Sequence, residues 1–474
     1  MAAGLPGSLR IAERLGMPLP LPARVLLVVS AVPIAAHFWS VPDARGPVLL
    51  SAATLCWMLD FVPDYVVALG LLVVWNVAAI GPSAQSLSGF ASPVWFLLVG
   101  VLALGEGLSR SGLLPRMALA LLSTFPATFA GQVVAFLVGG LLMTPILPLT
   151  VARCALTAPL ARQVAEALGY PARSRAAVGI GLAAFTGSSL LSRVFLSGAA
   201  VNLLAWSLLP ASTHPTWWRW AIAASPTMLL ISVGSLAIIL ITCRPPNERP
   251  IPGDLIRRLR RAHRRPLTPH AHVPAVVAAA LLIGLVASPY LDVDGPWLAC
   301  LGAIALATIG VLTREQFRLS IDWPRVIFLG VILGLPAMIQ HIGVDARLSQ
   351  ALPPLVAWAG ASPVWTVTLL FVIVVVLRFA LSEWVAIPLL TATLVSSAPI
   401  LGLHPWVIAF VVLAAANLWS APYQLASYLA FWSASDGYLF THEQVRAFSV
   451  AYMLLSLGGL LLSIPLWRLL GLLS

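Results

Sequence analysis

The sequence contains no lysine: all 27 of its basic residues are arginine. Charge of either sign is scarce, at 9% of residues, where a soluble globular domain carries about 25%. That scarcity excludes an ordinary soluble domain. Cysteine is scarce too. Cys56, Cys154, Cys243 and Cys300 lie far apart, a spacing that offers neither a metal-ligand set nor a disulfide framework. P-loop, nucleophile-elbow and zinc-protease motifs are all missing, so no catalytic constellation points to an enzyme or to a cofactor.

What fills the chain is apolar. Hydrophobic residues make up 60% of it, and the mean hydropathy is +0.97. Charge-free runs cover 65–105, 117–152, 194–218, 220–243, 295–313, 326–344, 348–377, 384–435 and 447–467. β-barrels show short alternating segments instead of runs this long. The composition predicts an all-α, polytopic membrane protein, with about 11 transmembrane segments at ~20 apolar residues per span.

The net charge of +11 would suggest nucleic acid in a soluble protein. In a membrane protein it reads as basic loops held on the cytoplasmic side, and no nucleic-acid partner is expected. The segment 244–272, RPPNERPIPGDLIRRLRRAHRRPLTPHAH, holds eight arginines against Glu248 and Asp254. It is predicted to be a cytoplasmic linker. Its histidines, His263, His270 and His272, have no acidic cluster or thiol beside them for metal binding. Arg10, Arg14 and Arg24 place the N-terminus in the cytoplasm of a cell whose inner (plasma) membrane holds the chain. The apolar stretch that follows lacks a small-residue cleavage site and reads as a retained first span. The expected organisation is a tail and first span over 1–44, a first repeat over 45–243, the linker over 244–272 and a second repeat over 273–474.

Two matches relate the halves. GLLPRMALAL (112–121) resembles GVDARLSQAL (343–352) at an offset of 231, and ALGYP (167–171) resembles ILGLHP (400–405) at 233 to 234. With tail and linker on the same side, an even number of crossings precedes the linker. One leading span then leaves an odd number per unit, so the second copy inserts upside down. Inverted repeats are a hallmark of secondary transporters.

The same offset sets Thr150 opposite Glu383. Around Thr150 the chain reads GGLLMTPILPLTVARCALTAPLARQ (139–163), interrupted by glycine and proline. Around Glu383 it reads VVVLRFALSEWVAIPLL (374–390), with Pro388 and, further on, Pro399 expected to interrupt in the same way. A helix broken inside a membrane frees backbone groups, which are tolerated only where protein or a water-filled cavity satisfies them. Half-helix N-termini favour anions, and freed carbonyls favour cations. Small and hydroxyl residues follow each break, in AAFTGSSLLSRVFLSGAAVN (183–202) and AAANLWSAPYQLASYLAFWSAS (414–435). These stretches read either as close helix packing or as the wall of an ion or substrate cavity. The candidate binding residues are Thr150, Arg153, Gly187, Ser188, Ser189, Asn202, Arg378, Ser382, Glu383, Ser420 and Gln424.

A charge at mid-bilayer costs about 2.5–3.5 kcal/mol on insertion scales, so such residues face a cavity or a partner. A guanidinium matches a carboxylate or oxyanion bidentately, which makes Arg153, Arg193 and Arg378 candidates for holding an anion; Arg153 could equally snorkel to the interface. Arg378 and Glu383 would stand ~140° apart on one straight helix and would not pair. Glu383 has three readings: a proton carrier or cation ligand, the partner of an arginine such as Arg378, Arg153 or Arg193, or a solvated interfacial residue. Glu106 reads as interfacial, and Asp60 and Asp64 as loop residues.

GFASPVWFLLVGVLALGEGLSRSGLLPRMALALL (89–122) and IDWPRVIFLGVILGLPAMIQHIG (321–343) resemble corresponding segments of the two repeats in the divalent anion:sodium symporter family, within the wider ion-transporter superfamily. The likeness extends over most of 45–470. That family carries Ser-Asn-Thr at the tip of a re-entrant hairpin in each repeat. Here Leu149-Thr150-Val151 and Ser382-Glu383-Trp384 stand in those places. Gly198-Ala199-Ala200-Val201-Asn202 stands where the family has Gly-Thr-Pro-Pro-Asn, and the second counterpart falls near Pro422–Tyr428. The resemblance implies a homodimer with an elevator-type motion in the bilayer that binds sodium and a carboxylate or similar anion. The expected cargo is a small carboxylate or oxyanion coupled to Na⁺ or H⁺, with Glu383 favouring H⁺. Two other functions remain open: a cation/proton antiporter or arsenite-type exporter, and a non-transporting membrane scaffold that has lost the tip motifs.

Overall fold

The structure is a computed structural model. It describes residues 32–59 except 34, 62–110, 124–246 except 127, 295–319, 321–343 and 362–473, with scattered positions between 273 and 284. The N-terminal arginines, most of the linker, the 112–121 and 343–352 match beyond Gly343, Asp60 and the side chain of Glu106 lie outside the described residues.

Long aliphatic runs have no competing partner for their backbone, so they coil into helices. The first half holds α1 (Arg45–Leu59), α2 (Asp64–Val77), α3 (Ser83–Ser86), α4 (Pro93–Arg110), α5 (Phe129–Met143), α6 (Thr150–Ala167), α7 (Arg175–Ser188), α8 (Ala200–Ser207) and α9 (Trp217–Cys243). The second holds α10 (Gly295–Thr308), α11 (Arg314–Leu319), α12 (Trp323–His341), α13 (Pro363–Leu377), α14 (Glu383–Leu394), α15 (Pro405–Ala416), α16 (Ala426–Ala434) and α17 (Arg446–Leu469). Among the described residues no strand forms; Leu403 and Leu473 make one isolated bridge. The all-α expectation holds. By length and composition α9, α12 and α17 can cross a membrane, and seven shorter apolar helices accompany them among the described residues.

Helix starts are fixed locally. Thr128, Ser174, Thr216 and Asp322 each accept a backbone N–H three residues on, from Gly131, Ala177, Arg219 and Arg325, which satisfies an otherwise orphaned donor. Pro363 and Pro405 stand at first helical positions, where a missing N–H costs nothing.

Two helices form the centre. Every residue of α7 from Ala176 and of α15 from Trp406 is buried, as expected for helices apolar on all sides. Outer helices expose rows of large apolar side chains, such as Leu229, Val233 and Ile241 on α9 and Val450, Leu454 and Leu462 on α17. A surface this apolar faces lipid. Packing pairs recur with the halves exchanged: α4 on α10 and α12 on α2, α5 on α7 and α13 on α15, α6 on α16 and α14 on α8, with α9 against α17.

Candidate functional site

Both central helices stop short beside a broken one. The first break covers 144–149, TPILPL, between α5 and α6, where Pro145 and Pro148 supply no N–H. The second covers 378–382, between α13 and α14, and contains no proline. This corrects the expectation for the second half: Pro388 lies inside α14, as Pro159 lies inside α6, and Pro399 follows the turn Val395–Ser397. Beyond Ser188 the chain unwinds through the 3₁₀ turns Leu190–Arg193 and Leu196–Gly198 before α8. Beyond Ala416 it unwinds through Pro422–Gln424 before α16. Bonds across the halves draw these ends together. The Ser189 and Ser427 hydroxyls lie 2.8 Å apart, and Asn417 Nδ2 donates to Leu190 O at 3.1 Å.

Four charged side chains are buried here, and they are the only buried ones among the described residues: Arg153, Arg193, Arg378 and Glu383. Arg193 Nη2 makes an ion pair with Glu383 Oε1. Arg193 also donates from Nη1 to Asn202 Oδ1 at 3.1 Å and from Nη2 to Asn417 Oδ1 at 3.4 Å. Asn202 Nδ2 in turn donates to the carbonyls of Ser192 and Phe195, both at 2.9 Å, and Asn417 Nδ2 to Tyr452 Oη at 2.9 Å. In this conformation Glu383 is therefore the partner of an arginine. The pair ties the unwound segment of the first half to the start of α14 in the second.

Arg153 and Arg378 turn their guanidinium groups onto backbone carbonyls. Arg153 is fully buried, so it does not snorkel. It donates to the carbonyls of Ser188 at 2.8 Å, Thr144 at 3.2 Å, Gly198 at 2.9 Å and Leu147. Arg378 donates to the carbonyls of Ala416 at 3.0 Å, Leu381 and Gln424.

The remaining candidates divide. Ser188 turns its hydroxyl back to Ala184 O at 2.6 Å and offers only its carbonyl. Gly187 serves packing: a Cβ there would lie 2.3 Å from Phe136 O. Gln424 Oε1 accepts from Ser420 N, Ser420 Oγ and Ala421 N, bracing the second unwound segment, while Ser420 itself is exposed. Thr150 is half-buried at the start of α6. Ser382 Oγ, Ser192 Oγ, Thr186 Oγ1, Trp419 Nε1, Arg153 Nη2 and Arg193 Nε are buried with no hydrogen-bond partner among the described residues. A cleft of about 170 Å³ bounded by Asp64, Tyr65, Asp322, Arg325, Phe328 and Trp384 opens beside Glu383's neighbour, and Arg325 stacks over the Trp384 ring at 4.6 Å.

Sequence reasoning did not find Tyr452 or Thr144, and Asn417 stood there only within the quoted stretch 414–435. The signal available for Tyr452 was a phenol hydroxyl in the charge-free run 447–467.

Broken helices meeting around buried charge, in an all-helical scaffold with a lipid-facing surface, define a membrane transporter. The chain belongs to the citrate transporter family: the family profile described as "CitMHS: Citrate transporter" matches residues 54–416. It is 25% identical over 387 residues to the inner membrane protein YbhI of Escherichia coli K12, covering 79% of this chain and 76% of that one. It is 24% identical over 351 residues to the chloroplastic dicarboxylate transporter 1 of Spinacia oleracea, covering 71% of this chain and 60% of that one. The fold matches the YdaH transporter of Alcanivorax borkumensis with a TM-score of 0.52 at 17% identity, over 82% of this chain and 88% of that one. The protein is a multi-pass membrane transporter and not an enzyme.

Proposed function

We propose that the protein is a secondary transporter for a small carboxylate carrying two or three negative charges. One observation carries this reading: among the described residues, the buried crossover brings together three arginines and one glutamate. A guanidinium buried in a membrane protein is costly and matches a carboxylate bidentately. A dicarboxylate or tricarboxylate would bring charge of the matching sign, and Ser382 Oγ, Ser192 Oγ, Arg153 Nη2 and Arg193 Nε, which have no hydrogen-bond partner among the described residues, could donate to its oxygens. Citrate, for which the family is described, and the dicarboxylate of the spinach relative belong to this class.

The finer reading extends the same way. The recurring order of helix, break, helix and unwound segment, and the exchanged packing pairs, support two inverted repeats with a re-entrant hairpin each. The two hairpins and their unwound partners would move together as an elevator within a homodimer in the inner membrane, N-terminus in the cytoplasm. A cation gradient would drive them.

The test is ligand stabilisation of the purified full-length protein. A ligand that binds only the folded state adds about 2.7 kcal/mol of stability at a hundred times its Kd. Citrate and malate should raise the melting temperature, and choline chloride at matched ionic strength should not. No shift with any di- or tricarboxylate would remove the reading.

A further inference from the structure

In each half, a guanidinium fills a cradle of backbone carbonyls. Arg153, in the first turn of α6, reaches Thr144 O and Leu147 O in the first break, Ser188 O at the end of α7 and Gly198 O two residues before α8. Arg378, at the end of α13, reaches Leu381 O in the second break, Ala416 O at the end of α15 and Gln424 O two residues before α16. The cradles have the same three walls: the break, the last carbonyl of the central helix and the unwound segment.

The arginines do not correspond in the chain. Arg153 enters from the helix after its break, and Arg378 from the helix before it. Duplication of one ancestral arginine therefore cannot account for both. What the halves share is a place that requires positive charge. Unwound carbonyls and half-helix C-termini are what coordinate a coupling cation in broken-helix transporters, and the helix dipole favours a cation at such ends. The resemblance to sodium-coupled symporters implies Na⁺ in this region, yet the residues present do not fit it. The oxygens that would ligate the ion already accept N–H bonds, and the fixed charge would repel a second cation.

We propose that Arg153 and Arg378 are built-in cations that replace inorganic coupling ions in the two cradles, so that the protein binds and moves its substrate without sodium. The statement about transport rests on the function proposed above; the statement about the cradles does not.

The experiment uses the full-length protein without substrate. Its melting temperature is followed as NaCl, LiCl or KCl replaces choline chloride at constant ionic strength and pH. The expected result is no saturable difference among the four salts. Arg153→Ala and Arg378→Ala should instead be stabilised, saturably, by Na⁺ or by millimolar guanidinium ion, as a vacated cradle refills. A saturable Na⁺ shift in the wild type would overturn the proposal, and so would variants that purify normally but respond to neither ion. If neither variant folds, the wild-type series decides. In proteoliposomes, citrate uptake should keep its rate within about twofold when choline replaces Na⁺, and a loss of about tenfold or more, as mass action demands of a required ligand, would contradict it. Failure of every carboxylate to bind would remove the transport reading and leave the cation series on the substrate-free protein intact.

Discussion

Glu383 opens α14, where the helix dipole favours a carboxylate, and its partner Arg193 comes from the other half of the chain. Removing one member leaves the other charged and buried. Glu383→Gln and Arg193→Met should each destabilise by roughly 3–5 kcal/mol. The double variant should lose clearly less than both added together, as measured by thermal or denaturant unfolding. Strict additivity would mean the two are not coupled. A second residue-scale prediction concerns His404, which caps α15 by accepting Trp406 N–H on Nδ1. Burial first, and then Arg219, lowers its pKa. A lowered folded-state pKa means that unfolding takes up protons, so stability is complete above the free histidine pKa of about 6.5 and falls as pH drops below it. His404→Asn retains a cap without titrating and should lose less stability than the wild type between about pH 6.5 and pH 5.

At the scale of elements, the two breaks differ in how far the sequence revealed them. Pro145 and Pro148 mark the first from within the chain. The second has no proline; it begins at Arg378, which turns its guanidinium onto Leu381 O, Ala416 O and Gln424 O. Two of those partners lie in a segment 38 and 46 residues away, so no local pattern could announce the break, and Pro388 misdirected the reading. Likewise Arg193 and Glu383 are 190 residues apart. Sequence alone could name both as charges in need of a partner, without choosing between Arg153, Arg193 and Arg378. Of the two readings of the residues after the breaks, close packing is seen at Gly187. Gly140 and Gly187 bring α5 against α7, and a Cβ on Gly140 would sit 2.1 Å from the Gly187 carbonyl carbon, whereas Asn202 and Asn417 hold Arg193. Gly187→Ala should therefore separate α5 from α7 and destabilise by about 1–3 kcal/mol, as overpacking does. A thermal melt within error of wild type would show that the contact yields freely.

For the whole molecule, composition was enough to give the class. With 9% charged residues and long charge-free runs, helices in a bilayer were the only economical solution. The place where the two broken segments meet was also legible, because interrupted apolar segments recur in both halves. Its chemistry was not, since the roles of Arg153 and Arg378 depend on carbonyls that only the folded chain brings round them. The assembled account is a carboxylate transporter whose binding region is held positive by its own arginines. The measurement that tests this most directly is uptake of radiolabelled citrate and malate into proteoliposomes containing the full-length protein. The account predicts saturable uptake of at least one of them, competed by the unlabelled acid. Uptake no greater than into protein-free liposomes, for citrate and malate alike and with an imposed gradient of either H⁺ or Na⁺, would contradict it.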